Sequence, residues 1–318
     1  MRLAILDDYQ NLALSFADWS RVKEKCEITV FDRNIASLDE AAQLLAPFEI
    51  IIVMRERMPF GRALIERLPN LKMIVSTGAT NRGLDSAAAR DHGILVTHTS
   101  NVLAAATTLE LTWALILAAA RNIPYEDRVI RAGGWQETLG MRLYGRTLGL
   151  CGFGKLGTAV ARIGQAFGMK TIAWSTNLTE EKAAAGGAEL VTKDELFARS
   201  DIVSVHLVLS DRSRGLVGAK EFGLMKPDSI FVNTSRGPIV DEAALIDTMQ
   251  RKAIRRAALD VYNIEPLPAG HPLSKLDNVV LSPHLGYASE DHVRQYFVDA
   301  VENIEAWFAG EPIRIVKD

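Results

Sequence analysis

Two hydrophobic periods take turns along this chain. Short β-branched runs, apolar at nearly every position, alternate with segments whose apolar residues recur every three to four positions. In the first half LAIL, EITVF, EIIIVM, KMIVS and ILVTH read as strands. Helical patterns lie between them near residues 12–25, 38–45, 62–67 and 86–92, and a long Ala- and Leu-rich helix follows over 102–121. The second half repeats the plan with TLGLCGFG, KTIAWS, DIVSVHLVL, SIFVNTS, RAALDVY and NVVLSPH. Strands that alternate with helices predict parallel sheets covered on both faces, an α/β chain built from two doubly wound parallel-sheet domains with a cleft. The irregular stretch GGWQETLGMRLYG, residues 133–145, reads as a connecting arm.

The chain's 318 residues suit two domains. A net charge of −3 gives no footprint for nucleic acid or an anionic membrane. The first apolar run meets Asp7 and Asp8 too soon for a signal peptide, and the longest apolar stretch, 109–120, is too short to span a bilayer. The two cysteines, Cys26 and Cys151, are far apart and suit a reducing compartment, so a cytoplasmic protein is expected. No CxxC or HExxH spacing suggests a metal site, and no GxSxG elbow suggests a hydrolase.

Ligands of such sheets sit beyond the carboxyl ends of the strands, so functional residues are expected just after apolar runs. CGFGKLG, residues 151–157, meets this condition. Gly152 permits a tight turn, Gly154 lets the backbone approach a pyrophosphate, and Gly157 lets the following helix pack closely, with its N-terminus toward the phosphates. An acid is expected at the end of the next strand, yet KTIAWSTN places Ser175 there, followed by Thr176 and Asn177. NTSRGPIVDE presents Arg236, whose planar fork suits a carboxylate. DVYNIEP supplies Asp260 and Glu265, and SPHLGYA supplies His284. A carboxylate beside a histidine favours its protonated form, which suits a general acid. Of six histidines, His98 and His206 end strands and are further candidates for ligand contacts, whereas His92, His271 and His292 read as structural.

With these blocks in this order and spacing, the chain resembles the D-isomer-specific 2-hydroxyacid dehydrogenases, the family of phosphoglycerate dehydrogenase, glyoxylate/hydroxypyruvate reductase and D-lactate dehydrogenase. The resemblance covers nearly the whole chain. It implies a Rossmann-type cofactor domain, residues 101–288, inserted into a flavodoxin-like substrate domain, residues 1–100 and 289–318. It puts catalysis on Arg236, Glu265 and His284, with hydride passing between NAD(P)H and a small 2-oxo acid. It puts cofactor contacts on the glycine turn with Lys155 and Leu156, on Ser175, Thr176 and Asn177, on His206, Leu207, Thr234 and Gly286, and the nicotinamide carboxamide on Asp260 beside His284. Substrate contacts fall on Arg55, Thr77, Gly78 and Ala79, together with Arg236. A homodimer joined through the 133–145 arm is implied as well, with Trp135, Leu139, Met141, Leu143 and Tyr144 exposed for it. Ser175 in place of an acid predicts relaxed choice between NAD and NADP. The alternatives are a formate dehydrogenase-like enzyme, which pairs its histidine with glutamine where Glu265 stands, and a cofactor-sensing corepressor-like scaffold.

Overall fold

The structure, a computed structural model, describes residues 1–317. The chain divides into two compact units, one formed by Met1–Leu103 with Ala288–Asp318, the other by Ala104–Tyr287.

The first unit is built on β1 (Arg2–Ile5), β2 (Glu27–Val30), β3 (Ile50–Val53), β4 (Met73–Ser76) and β5 (Leu95–His98). All pair in parallel, in the order β2-β1-β3-β4-β5. The central strands IIIV and MIVS are buried at every position, as expected of a sheet covered on both faces. The helix Glu290–Phe308 buries His292, Tyr296, Asp299, Ala300, Asn303 and Ile304, a stripe at helical spacing. Two of these polar residues fasten the chain after β5. Asp299 accepts from the Ser100 N–H at 2.6 Å, and Asn303 Nδ2 donates to the His98 carbonyl at 2.9 Å.

The single helix expected over 12–25 is instead two short turns, Ala13–Phe16 and Ser20–Lys23. The Asp8 carboxylate accepts from the N–H groups of Leu12 and Ala13 and starts the first turn. Asp18 Oδ1 then accepts from the Ser20 N–H and hydroxyl and starts a second, with Ala17 extended between them. Side-chain competition for backbone groups overrides the periodicity here.

The second unit holds β6 (Thr147–Cys151), β7 (Lys170–Trp174), β8 (Glu189–Leu190), β9 (Ile202–Val205), β10 (Ile230–Asn233), β11 (Arg256–Leu259) and β12 (Val279–Leu281). Its parallel order is β12-β11-β10-β9-β6-β7-β8. The two-residue β8 is too short to announce itself in the hydrophobic pattern. The strand order reverses between β6 and β9 here, and between β1 and β3 in the first unit. Such switch points open a crevice at the carboxyl edge of a sheet.

The arm 133–145 contains no helix or strand. Trp135, Leu139 and Tyr144 are 78%, 81% and 69% exposed, but Met141 and Leu143 are buried in the unit's own core beside Trp113 and Leu148. The expectation that all five stand exposed is therefore corrected. The Met141 N–H donates to the Ala120 carbonyl at 2.7 Å, which turns this part of the arm inward. Both cysteines are buried and reduced. Among the described residues no helix is long and apolar enough to cross a membrane, and no group of three or more His, Cys, Asp or Glu side chains is placed to hold a metal ion.

Candidate active site

In the second unit the predicted residues line one edge of one sheet. They follow the carboxyl ends of neighbouring strands: His284 after β12, Asp260 and Glu265 after β11, Thr234 and Arg236 after β10. His206 and Leu207 follow β9, the glycine turn follows β6, and Ser175 follows β7. With strands about 4.8 Å apart, these six ends form a row of roughly 24 Å.

The glycine turn has a structural reason at each position. Gly152 has φ 105°, and a Cβ there would lie 2.5 Å from the His206 carbonyl oxygen. A Cβ at Gly157 would lie 2.2 Å from the Gly152 carbonyl oxygen, so the helix Lys155–Ala166 can sit this close to β6 only with glycine. Gly154 is different: its Cβ would meet no protein atom within 4 Å. Packing does not demand that glycine, whereas a ligand lying against the turn would. Gly154 is also the N-cap and has no side chain to cap the helix; the first backbone bond back to it comes from the Thr158 N–H. The N–H groups of Lys155, Leu156 and Gly157 thus precede the helical ladder, at the positive end of the dipole. These features fit a pyrophosphate.

His206 closes the other side of the switch point. Its Nε2 lies 2.9 Å from Ser204 Oγ, while Nδ1 is enclosed without a partner. Desolvation pushes its pKa down to about 4, so the ring is neutral at pH 7. Beyond β7, a turn closed by the Leu178 N–H on the Ser175 carbonyl leaves Ser175 half-buried and Thr176 and Asn177 exposed. Thr234 is buried, its hydroxyl 3.0 Å from that of Thr112.

At the far end of the row, His284 Nδ1 meets Glu265 Oε2 at 2.5 Å, and Glu265 Oε1 accepts from the Tyr262 N–H at 2.9 Å. His284 itself has φ 56°, a conformation unusual for a side chain of this size. Asp260 holds it there. Oδ1 accepts from Ser282 Oγ at 2.6 Å and from the Leu285 N–H at 2.7 Å, and Oδ2 accepts from the Gly286 N–H at 3.0 Å. Burial pushes the Asp260 carboxyl above the usual carboxylate range, against the lowering effect of those donors. Gly286 is itself enclosed: its carbonyl accepts from Thr108 Oγ1 at 2.9 Å. Three of the four acceptor positions of Asp260 thus serve the loop that carries His284.

Arg236 is half-buried, and its Nη1 donates to the Ser235 carbonyl at 2.8 Å. A Cβ on the next residue, Gly237, would lie 2.1 Å from the Tyr262 carbonyl carbon and oxygen. The arginine loop therefore lies directly on the loop that carries Glu265. Tyr262 ties that loop to the next strand end, its buried hydroxyl donating to the Ser282 carbonyl at 2.9 Å. Tyr262, Ser282 and Gly237 are supports that the sequence reading missed, although all three stand inside the blocks it singled out.

In the first unit, Arg55 follows β3 and the STGAT loop follows β4. The Arg55 N–H donates to Thr77 Oγ1 at 2.9 Å, and the Gly78 N–H donates to Thr99 Oγ1 at 2.7 Å. Thr77 and Gly78 are buried, so only Ala79 and Thr80 of this loop are exposed. His98 turns its Nδ1 to the Thr99 carbonyl at 3.1 Å.

The chain is similar to known proteins over most of its length. Residues 113–286 match the family model for the D-isomer specific 2-hydroxyacid dehydrogenase NAD binding domain. The glyoxylate reductase of Aeropyrum pernix is 40% identical over 257 residues, covering 78% of this chain and 76% of that protein. The D-3-phosphoglycerate dehydrogenase of Methanocaldococcus jannaschii is 36% identical over 264 residues, 82% of this chain but 50% of that protein. The solved phosphoglycerate oxidoreductase of Vibrio cholerae superposes with a TM-score of 0.90 at 38% identity, covering 98% of this chain and 99% of that one. The chain belongs to the D-isomer-specific 2-hydroxyacid dehydrogenase family, and its second unit carries that family's NAD-binding domain.

Proposed function

We propose that this protein reduces a small 2-oxo acid to the D-2-hydroxy acid, or runs the reverse reaction, with His284 as general acid/base, Glu265 supporting it and Arg236 anchoring the substrate carboxylate. The observation that carries the reading is the His284–Glu265 contact of 2.5 Å at one end of a strand-edge row whose other half holds the glycine turn and Ser175. A nicotinamide dinucleotide supplies the hydride when bound. Gly152, Gly154, Lys155, Leu156 and Gly157 would hold its pyrophosphate, and Ser175, Thr176 and Asn177 its adenosine ribose. Leu207 and Thr234 would pack along it, and the remaining acceptor position of Asp260 would take its carboxamide.

The chemistry of the chain's own groups follows from charge. Glu265 fixes Nδ1 of His284 as a donor and sets the ring's orientation, so Nε2 can hand a proton to the oxygen of the substrate carbonyl as that oxygen gains charge. Arg236 offers a guanidinium to the neighbouring carboxylate. Arg55, with Gly78 and Ala79 of the first unit, would meet the substrate's acidic group, while Thr77 supports the loop from within. The glutamate beside the histidine, rather than a glutamine, favours this reaction over formate oxidation. A second copy of the chain would cover the exposed Trp135, Leu139 and Tyr144.

The test is turnover of glyoxylate, hydroxypyruvate, pyruvate and phosphohydroxypyruvate with NADH and with NADPH, in the native protein, His284→Ala and Glu265→Gln. His284→Ala is expected to lose about 10²–10⁴ in kcat. Glu265→Gln is expected to lower kcat, because the amide cannot match the charge-assisted hydrogen bond that holds the His284 ring at Nδ1. Failure to turn over any 2-oxo acid would favour the scaffold reading, and a native kcat in Glu265→Gln would remove Glu265 from the mechanism.

A further inference from the structure

Arg55 is held at both of its ends. Its backbone is left-handed, with φ 48°, and such residues persist where the surroundings over-determine them. The Asn81 Nδ2 donates to the Arg55 carbonyl at 2.7 Å, fastening the loop itself. The guanidinium is fastened separately. Nη1 donates to the hydroxyl of Tyr296 at 3.2 Å and, at 3.5 Å, to Asn101 Oδ1; the same hydroxyl donates to Asn101 Oδ1 at 3.3 Å. The donors and acceptors of this triangle are consistent, since a phenol can accept from arginine and donate to an amide oxygen at once.

Tyr296 is fully buried on the helix Glu290–Phe308, its ring 4.4 Å from that of His292. Phenylalanine would fill the same apolar space. What tyrosine adds is a hydroxyl aimed at Arg55 and Asn101. The STGAT loop passes directly over the triangle: a Cβ at Gly78 would lie 2.6 Å from Arg55 Nη1 and 3.6 Å from the Tyr296 hydroxyl. A guanidinium that lies against the loop assigned to the substrate has to keep one orientation, because a long flexible side chain otherwise loses rotamer freedom each time it engages a ligand.

We propose that Tyr296 is a positioning residue for substrate binding: its hydroxyl, with Asn101, holds the Arg55 guanidinium in one orientation for the acidic group of the substrate. This rests on the reading that Arg55 meets the substrate. The helix Glu290–Phe308 thereby takes part in recognition through a single oxygen atom.

The experiment uses the full chain and the 2-oxo acid it turns over best, with Tyr296→Phe, Arg55→Gln and the double variant. Tyr296→Phe is expected to raise KM for the 2-oxo acid about five- to tenfold, with kcat within twofold. KM for the nicotinamide cofactor and the thermal midpoint are expected to hold, as a merely structural hydroxyl would not allow. In the Arg55→Gln background the same change is expected to have no further effect on KM, the mark of two residues acting through one another. The clamp is overturned if Arg55→Gln raises KM and Tyr296→Phe does not, or if Tyr296→Phe costs as much with Arg55 absent. If Arg55→Gln itself leaves KM unchanged, the substrate role of Arg55 fails first and the role of the clamp falls with it.

Discussion

Ser175 is the residue at which this chain departs from the dinucleotide pattern, and the departure bears on cofactor choice. An aspartate after β7 would accept hydrogen bonds from a ribose diol and repel a 2′-phosphate. Serine keeps one hydrogen bond and removes the repulsion, and the exposed Thr176 and Asn177 add neutral polar groups beside it. No arginine follows at once, so a strong opposite preference is not expected. The native protein should use NADPH at least comparably to NADH, and Ser175→Asp should swing kcat/KM toward NADH by roughly tenfold or more, about 1.4 kcal/mol. A native preference for NADH of about a hundredfold would refute this account.

At the scale of elements, the residues proposed for catalysis stand on loops that follow three adjacent strands and brace one another. Gly237 is the closest of these contacts, because a Cβ there would meet backbone atoms of Tyr262 at 2.1 Å, and backbone cannot swing aside as a long side chain can. Gly237→Ala should lower stability by about 1–3 kcal/mol, as overpacking does. It should lower kcat as well, because the displaced loop carries Glu265, and Glu265 sets the His284 ring. Thermal unfolding beside steady-state kinetics checks both. A variant with native kcat would show that the arginine loop and the glutamate loop act independently. The glycine spacing and the NTSRGPIVDE block were legible because a strand end exposes whatever follows it. That the two blocks lean on each other was not legible, since no local pattern encodes the register of β10 against β11.

For the whole molecule, the outstanding feature is apolar surface. Trp135 and Leu139 are about four-fifths exposed, and Ile123 and Ile130 on the neighbouring helix Ile123–Arg131 are 57% and 53% exposed. Large apolar side chains grouped in this way mark interaction surfaces more often than scattered ones do. Covering by a second copy predicts a light-scattering mass of about twice 34.9 kDa across micromolar concentrations, and charged replacements at Trp135 and Leu139 should reduce it. A native mass near 34.9 kDa would refute the dimer. Here the sequence reading erred in part: an irregular segment looks uniformly exposed, and only the path of the backbone past Ala120 turns Met141 and Leu143 inward.

Alternating periods, glycine spacing and the residues just after strands are local properties, and from them the sequence alone determined the α/β class, the two parallel sheets, the tight glycine turn after β6 and the family. Helix starts set by Asp8 and Asp18 escaped it, because a side chain that competes for backbone N–H groups leaves no mark on hydrophobic period. Tertiary structure decided which polar groups meet. His284 finds Glu265 across 19 residues, and Arg55 finds Tyr296 across 241. It also turned Asp260 toward the loop that carries His284 and placed Thr77 beneath its own loop. The physical reason is that hydrogen-bond partners are chosen by distance in space, which strand order and register set, while period and spacing report only which face of an element is dry.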